Sequence, residues 1–172
     1  MSINMIVAID ENFAIGYKGN LIFSLKKDLK RFKELTSKNT YGLKNYILCG
    51  RNTYESLPKE LPNRKIVVLT NNTNYKVNKD VIVEQSLERV INHYLSGKQE
   101  KDLWIIGGEN IYEQSLEYVD KIYLTFICSK AKHADAYFPF LDMIKKFKIV
   151  DFKSGNENGL DFAYITFERK DK

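Results

Sequence analysis

At 172 residues, with 44% hydrophobic and 13% aromatic side chains, the chain can bury one sizeable core, which excludes a disordered segment. No apolar run reaches the roughly 20 residues a membrane span needs, and Met1 to Met5 lacks the basic region and cleavage site of a secretory leader, so a cytoplasmic protein is expected. The net charge of +5 favours anionic partners, but the lysines are scattered and no basic run is interleaved with aromatics, so no nucleic-acid groove is expected.

Runs rich in β-branched and aromatic residues predict strands over 3–9, 45–49, 65–69, 81–84, 103–106, 121–128, 148–152 and 162–168. Helical periodicity falls between several of them, over 25–35, 53–57, 87–95 and 110–118. Strand–helix alternation up to residue 118 builds βαβ units and hence a mainly parallel sheet. The last two strands flank Gly155-Asn156-Glu157-Asn158-Gly159, too short for a helix, and predict an antiparallel hairpin at one edge. The expectation is a single α/β domain over residues 1–172. Its mixed central sheet has about eight strands and about four flanking helices, and ligands bind beyond the carboxyl ends of the parallel strands. Cys49 and Cys128 lie in apolar runs and read as two buried free thiols in a reducing compartment. His93 and His133 stand far apart with no paired-ligand spacing, so no metal site is expected.

The first helix carries the most informative residue. Leu25, Leu29, Phe32 and Leu35 form one apolar stripe, and Asp28 projects between the directions of Phe32 and Leu35. Lys26, Lys27, Lys30, Arg31 and Lys33 point elsewhere. A lone carboxylate on a buried stripe costs several kcal/mol unless it is paired or takes up a proton, which suggests a group kept for a ligand. A slightly rotated helix, with Asp28 at the stripe's edge beside a lysine, is an equal alternative.

Two strand-to-helix junctions suit anions. Cys49-Gly50-Arg51-Asn52-Thr53 offers a glycine turn, backbone N–H groups, a hydroxyl and a guanidinium. Ile106-Gly107-Gly108-Glu109-Asn110 repeats the strand, glycine and helix order without the full dinucleotide fingerprint. Either turn alone is as well explained by architecture, and Glu109 by the helix dipole; the pair together suits both ends of a dinucleotide. Thr125 falls on an apolar strand, where its hydroxyl needs a partner such as Asp28 or its own backbone. Arg64 starts a strand and is either a bidentate carboxylate clamp or a solvated edge charge.

Taken in order, Ile6-Val7-Ala8, Ala14-Ile15-Gly16, Leu25 to Phe32 around Asp28, Gly50 to Ser56, Leu61-Pro62-Asn63-Arg64-Lys65, Ile106-Gly107-Gly108 with Tyr112, Tyr123-Leu124-Thr125 and Tyr137-Phe138-Pro139 resemble the dihydrofolate reductase family over nearly the whole chain. The resemblance implies reduction of 7,8-dihydrofolate by NADPH, with hydride to C6 and a proton to N5. By the same resemblance, Asp28 would bind the pterin and promote protonation, supported by Thr125. Ile6, Val7, Leu21, Leu29, Phe32, Leu57 and Ile106 would line the substrate site, and Arg64 would pair with its α-carboxylate. Ala8, Ile15, Gly16, Gly50, Arg51, Asn52, Thr53, Leu69, Thr70, Asn71, Gly107, Gly108, Glu109, Asn110, Ile111 and Tyr112 would hold NADPH. Residues 16–23 would be a mobile loop closing over the rings.

Three features depart from the family pattern. Leu21-Ile22-Phe23 stands where Leu-Pro-Trp is usual, Lys26 replaces a common proline, and residues 37–45 form a longer segment. Phe23 cannot donate the indole N–H that orders a water near the pterin. Two other readings stay open: a fold-related reductase acting on a pyrimidine of riboflavin synthesis or another pterin, and a non-enzymatic nucleotide-binding module. A monomer is expected.

Overall fold

The run Ile3–Ile9 forms β1, near the middle of an eight-stranded sheet. The chain continues through β2 (Ala14–Tyr17), β3 (Asn20–Leu21), α1 (Lys26–Ser37), β4 (Asn45–Gly50), α2 (Arg51–Ser56), β5 (Arg64–Leu69), β6 (Ile82–Glu84), α3 (Leu87–Ser96) and β7 (Leu103–Ile105). It then forms α4 (Glu109–Ser115), β8 (Lys121–Ile127), β9 (Ala136–Tyr137), α5 (Phe140–Lys146), β10 (Phe147–Glu157) and β11 (Leu160–Arg169). The computed structural model describes residues 2–39, 42–57, 61–96 and 101–170.

The large sheet runs in the order β10-β11-β8-β1-β7-β4-β5-β6. Its pairings from β8 through β6 are parallel, and β11 joins β8 and β10 antiparallel. Strands covered on both faces read as continuous apolar runs. In β1 only Ala8 escapes full burial, and Met5 and Ile9 join Leu48, Ile105 and Leu124 at zero exposure. The crossover helices bury one stripe each, as Val90, Ile91 and Tyr94 do on α3.

The mixed, mainly parallel sheet with a C-terminal antiparallel pair agrees with the sequence reading, and four differences have physical causes. A second sheet, β3-β2-β9, forms from strands of two to four residues, too short to show a period. A fifth helix, α5, follows Pro139 and has seven residues, less than the windows that reveal amphipathicity. The hairpin strands are longer than expected, 11 residues in β10 and 10 in β11, joined at Asn158 (φ 52°) and Gly159 (φ 82°) between the paired Glu157 and Leu160. Two consecutive positive φ angles define the type I′ turn that matches strand twist, which Asn-Gly favours. Cys49 is buried as expected, but Cys128 is exposed just beyond β8; β8 ends at Ile127, so the apolar run overstates the strand by one residue.

Candidate active site

Because β4 and β7 are hydrogen-bonded neighbours with Leu48 opposite Ile105, their two following turns meet at one edge of the sheet. The Gly50 N–H donates to the Gly107 carbonyl at 2.8 Å. Helices α2 and α4 start right there, with Gly50 and Gly108 as N-caps and no capping side chain, so their first N–H groups stay available. Above them opens a cleft of about 820 Å³. Of the residues expected to hold a cofactor, Ala8, Ile15, Gly16, Gly50, Arg51, Asn52, Thr53, Leu69, Thr70, Asn71, Gly108, Glu109, Asn110, Ile111 and Tyr112 line it. Gly107 does not; it lies buried beneath the floor. Val7, Leu21 and Ile106, expected on the substrate side, also line this cleft.

The glycines keep the floor low. A Cβ on Gly108 would stand 3.3 Å from the Thr53 hydroxyl, and one on Gly50 would stand 3.4 Å from Ile111. Gly107 is the most demanding position: its φ is +109°, and a Cβ would lie 2.8 Å from the Tyr112 ring. Tyr112 cannot move aside freely, because its hydroxyl donates to the Ile6 carbonyl at 2.8 Å and burial pushes the phenol's pKa up. Gly107→Ala is therefore expected to cost about 1–3 kcal/mol in chemical denaturation, from the backbone conformation alone. A variant as stable as the parent would show that this turn relaxes. Arg51 is exposed, and its contact with Glu55 spans 3.9 Å across one helical turn. Such pairs are weak, so the guanidinium is available to an anion.

Residues 16–23 form less of a free loop than expected. Gly16 pairs with Leu21 and with Ala136, closing β2 between β3 and β9. The Lys18 N–H donates to Asp135 Oδ2 at 2.9 Å, and the Asp135 N–H donates to the Gly16 carbonyl at 3.0 Å. This latch brings Tyr17, Gly19 and Asn20 of the expected closing loop to the cleft, together with Asp135 and Ala136, which were not singled out from sequence. Nor were Ser56 and Asn72. Only the turn-rich Thr70-Asn71-Asn72 run carried any signal for Asn72.

On the other side of β1 stands the acid. Asp28 sits in the first turn of α1, and the Thr125 hydroxyl donates to its Oδ1 at 2.5 Å. Thr125 is 1% exposed and lies in register with Ala8, a residue of the cleft wall. The carboxylate therefore points inward beside the cleft and not into solvent. Burial raises its pKa above the usual carboxylate value, while the Thr125 hydrogen bond and Arg31 pull it down and Glu157 pushes it further up. Arg31, expected to point away from the stripe, instead folds inward over the Tyr164 ring.

Phe32, like Leu35 and Ile106, packs against the cluster of Ile6, Ile47 and Trp104, while Leu57 packs against Cys49, Ile66 and Val68. Leu29 and Leu21 remain 44% and 58% exposed, apolar edges at an opening. Arg64 is 8% exposed, its guanidinium 5.6 Å from the Phe32 ring. Its Nη1 donates to Thr36 Oγ1 at 2.9 Å and its Nε to the Pro62 carbonyl at 3.2 Å. Thr36 donates in turn to the Phe32 carbonyl at 2.7 Å. Thr36, missed from sequence because it looks like an ordinary polar helix end, thus anchors the arginine to α1. No carboxylate among the described residues forms an ion pair with Arg64.

A parallel sheet whose two glycine turns open into one cleft, with a buried acid at its side and an arginine beyond, defines a nucleotide-dependent α/β enzyme. The family model for dihydrofolate reductase matches residues 2–169. The dihydrofolate reductase of Buchnera aphidicola subsp. Baizongia pistaciae is 35% identical over 173 residues, covering 98% of this chain and 96% of that protein. That of Schistosoma mansoni is 32% identical over 181 residues, covering 98% and 96%. The solved structure of dihydrofolate reductase from Enterococcus faecalis, complexed with NADP(H) and RAB-propyl, superposes with a TM-score of 0.84 at 31% identity, covering 99% of this chain and 97% of that one. The chain belongs to the dihydrofolate reductase family.

Proposed function

We propose that this protein reduces 7,8-dihydrofolate to 5,6,7,8-tetrahydrofolate with NADPH and so supplies one-carbon metabolism. The observation that carries the reading is the Asp28–Thr125 pair, held one strand from a cleft of dinucleotide size. The cleft fits the cofactor: glycines at Gly50 and Gly108 leave room a Cβ would fill, and uncapped helix starts face an anion. Arg51, Asn52 and Thr53 would hold phosphates, with Gly108 at the pyrophosphate. Thr70 and Asn71 beside Arg51 favour a 2′-phosphate, hence NADPH over NADH. Ala8, Ile15 and Gly16 would border the nicotinamide, which supplies the hydride delivered to C6.

Asp28 orients the pterin by accepting hydrogen bonds from its amino group and N3, and it favours the N5-protonated substrate electrostatically. Thr125 fixes the carboxylate's rotamer. Ile6, Leu29, Phe32 and Leu57 enclose the rings, and Arg64 takes the α-carboxylate. The β2–β3 segment, latched to Asp135, excludes water from the reacting atoms. Every group named belongs to one chain, so a monomer over residues 1–172 suffices. The free Cys49 and Cys128 suit a reducing, cytoplasmic setting. No helix among the described residues is long and apolar enough to cross a membrane.

The test is loss of NADPH absorbance on mixing purified protein with dihydrofolate. Turnover that requires both reactants is expected. Turnover of a riboflavin-pathway pyrimidine, with dihydrofolate inert, would replace this reading with the fold-related reductase. Asp28 together with Arg64 favours a pterin carrying a carboxylate tail.

A further inference from the structure

Beside Asp28 on α1, one turn along, is a cation that the reaction as described does not use. Residues three apart on a helix share a face, so the Arg31 side chain rises next to that of Asp28. Its guanidinium carbon stands 4.3 Å from the centre of the Tyr164 ring on β11 and 5.9 Å from that of Tyr123 on β8. Nη1 is buried and has no hydrogen-bond partner. No ion pair within 4.0 Å ties Arg31 to any acid among the described residues. A long, hydrated side chain that gives up water for two ring faces and leaves a buried N–H unmet is not behaving as surface charge. Burial lowers its pKa, and Asp28 is the strongest influence opposing that.

The other charges near the acid do not substitute for it. Lys27 is exposed, its ammonium donating to the Asn156 carbonyl, and the Lys26 and Lys27 N–H groups both bind the Glu157 carboxylate. Glu157 and Asp151 on β10 add negative charge to this flank, as does Glu34 on α1, and the rings of Tyr123 and Tyr164 supply no positive charge. Arg31 is the cation that acts on Asp28.

We propose that Arg31 is a positioning residue of the active site: clamped on Tyr164 one helical turn from Asp28, it stabilises the negative charge of that carboxylate. The role is electrostatic, since the two groups do not close to a contact. Phe23, which like Tyr164 packs against the cluster of Leu25, Ile127 and Phe162, brings no polar group to this region. Arg31 thereby sets the pH range over which the site carries its negative charge. The catalytic consequence rests on the dihydrofolate reductase reading; the coupling between the two side chains does not.

The experiment uses Arg31→Met, which keeps the hydrocarbon stem on the ring, and Arg31→Lys, which keeps the charge. Carbon-13 NMR of aspartate-labelled protein, with the Asp28 carboxyl assigned by its loss in Asp28→Asn, follows the titration without any ligand. Arg31→Met is expected to move the Asp28 midpoint up by about one pH unit, and Arg31→Lys to restore most of it. The midpoint of the pH–rate profile for hydride transfer should move in the same direction, because a lost positive charge favours proton binding on either partner. An unmoved Asp28 midpoint in Arg31→Met overturns the proposal, as does an equal shift in both variants, which would make the effect one of packing. Absence of turnover would defeat the proposed reaction and leave the titration result standing.

Discussion

Asp28→Asn is expected to lower the hydride-transfer rate at pH 7 by on the order of 10²-fold or more, with part of the loss recovered in acid. The amide keeps the shape and still accepts the Thr125 hydrogen bond, so what disappears is the negative charge that favours protonation of the substrate. In acid the substrate arrives protonated, and the missing charge matters less. Near-parental turnover at pH 7 would show that Asp28 takes no part in catalysis. The same variant should be more stable. Burial raises the Asp28 pKa above its unfolded value, so the native state binds this proton more tightly and stability falls as pH rises through the native titration. At neutral pH the ionised group therefore opposes folding, and its removal should raise the Tm there. The gain should shrink towards the unfolded carboxyl pKa and vanish below it. A lower Tm for the variant at pH 7 would mean that the carboxylate's bonds outweigh its desolvation.

Arg64→Leu should weaken dihydrofolate binding by about 1.5–3 kcal/mol, the range for a hydrogen bond to a charged group, with little change in NADPH affinity. The guanidinium is ready for this role without rearrangement. Thr36 and Pro62 already fix Nη1 and Nε, and the Phe32 ring packs beside the plane. Preorganisation of this kind spares the ordering of a flexible side chain on binding. Equilibrium titration with each ligand separately checks the prediction, and an unchanged dihydrofolate affinity removes the assignment. Some loss of stability should accompany the effect, because the Thr36 hydroxyl would lose its buried donor partner.

How far the sequence discloses these features depends on the range of the forces involved. The parallel sheet was legible because doubly covered strands such as β1 must be apolar throughout, and the hairpin because Gly155 to Gly159 leaves no room for a helix between the last two apolar runs. Both glycine junctions were legible for a similar reason: a glycine between strand and helix is a local requirement. The latch at Asp135 was not, because two backbone N–H groups tie Asp135 to Gly16 and to Lys18, 117 positions away, and no periodicity marks such contacts. Arg31 was assigned to the solvated face because helical periodicity carries no information about Tyr164, which reaches it from the far end of the chain. Cys128 shows the opposite error, a hydrophobic run extended one residue past the strand that explains it.

The outermost strand, β10, has one unpaired side and exposes Ile149, Val150 and Phe152, the composition that invites end-to-end stacking of chains. Its register slips between Ile149 and Asp151, and Lys148, Asp151 and Lys153 punctuate the apolar residues. That kink and those charges deny an incoming strand the flat, neutral template that edge-to-edge growth requires.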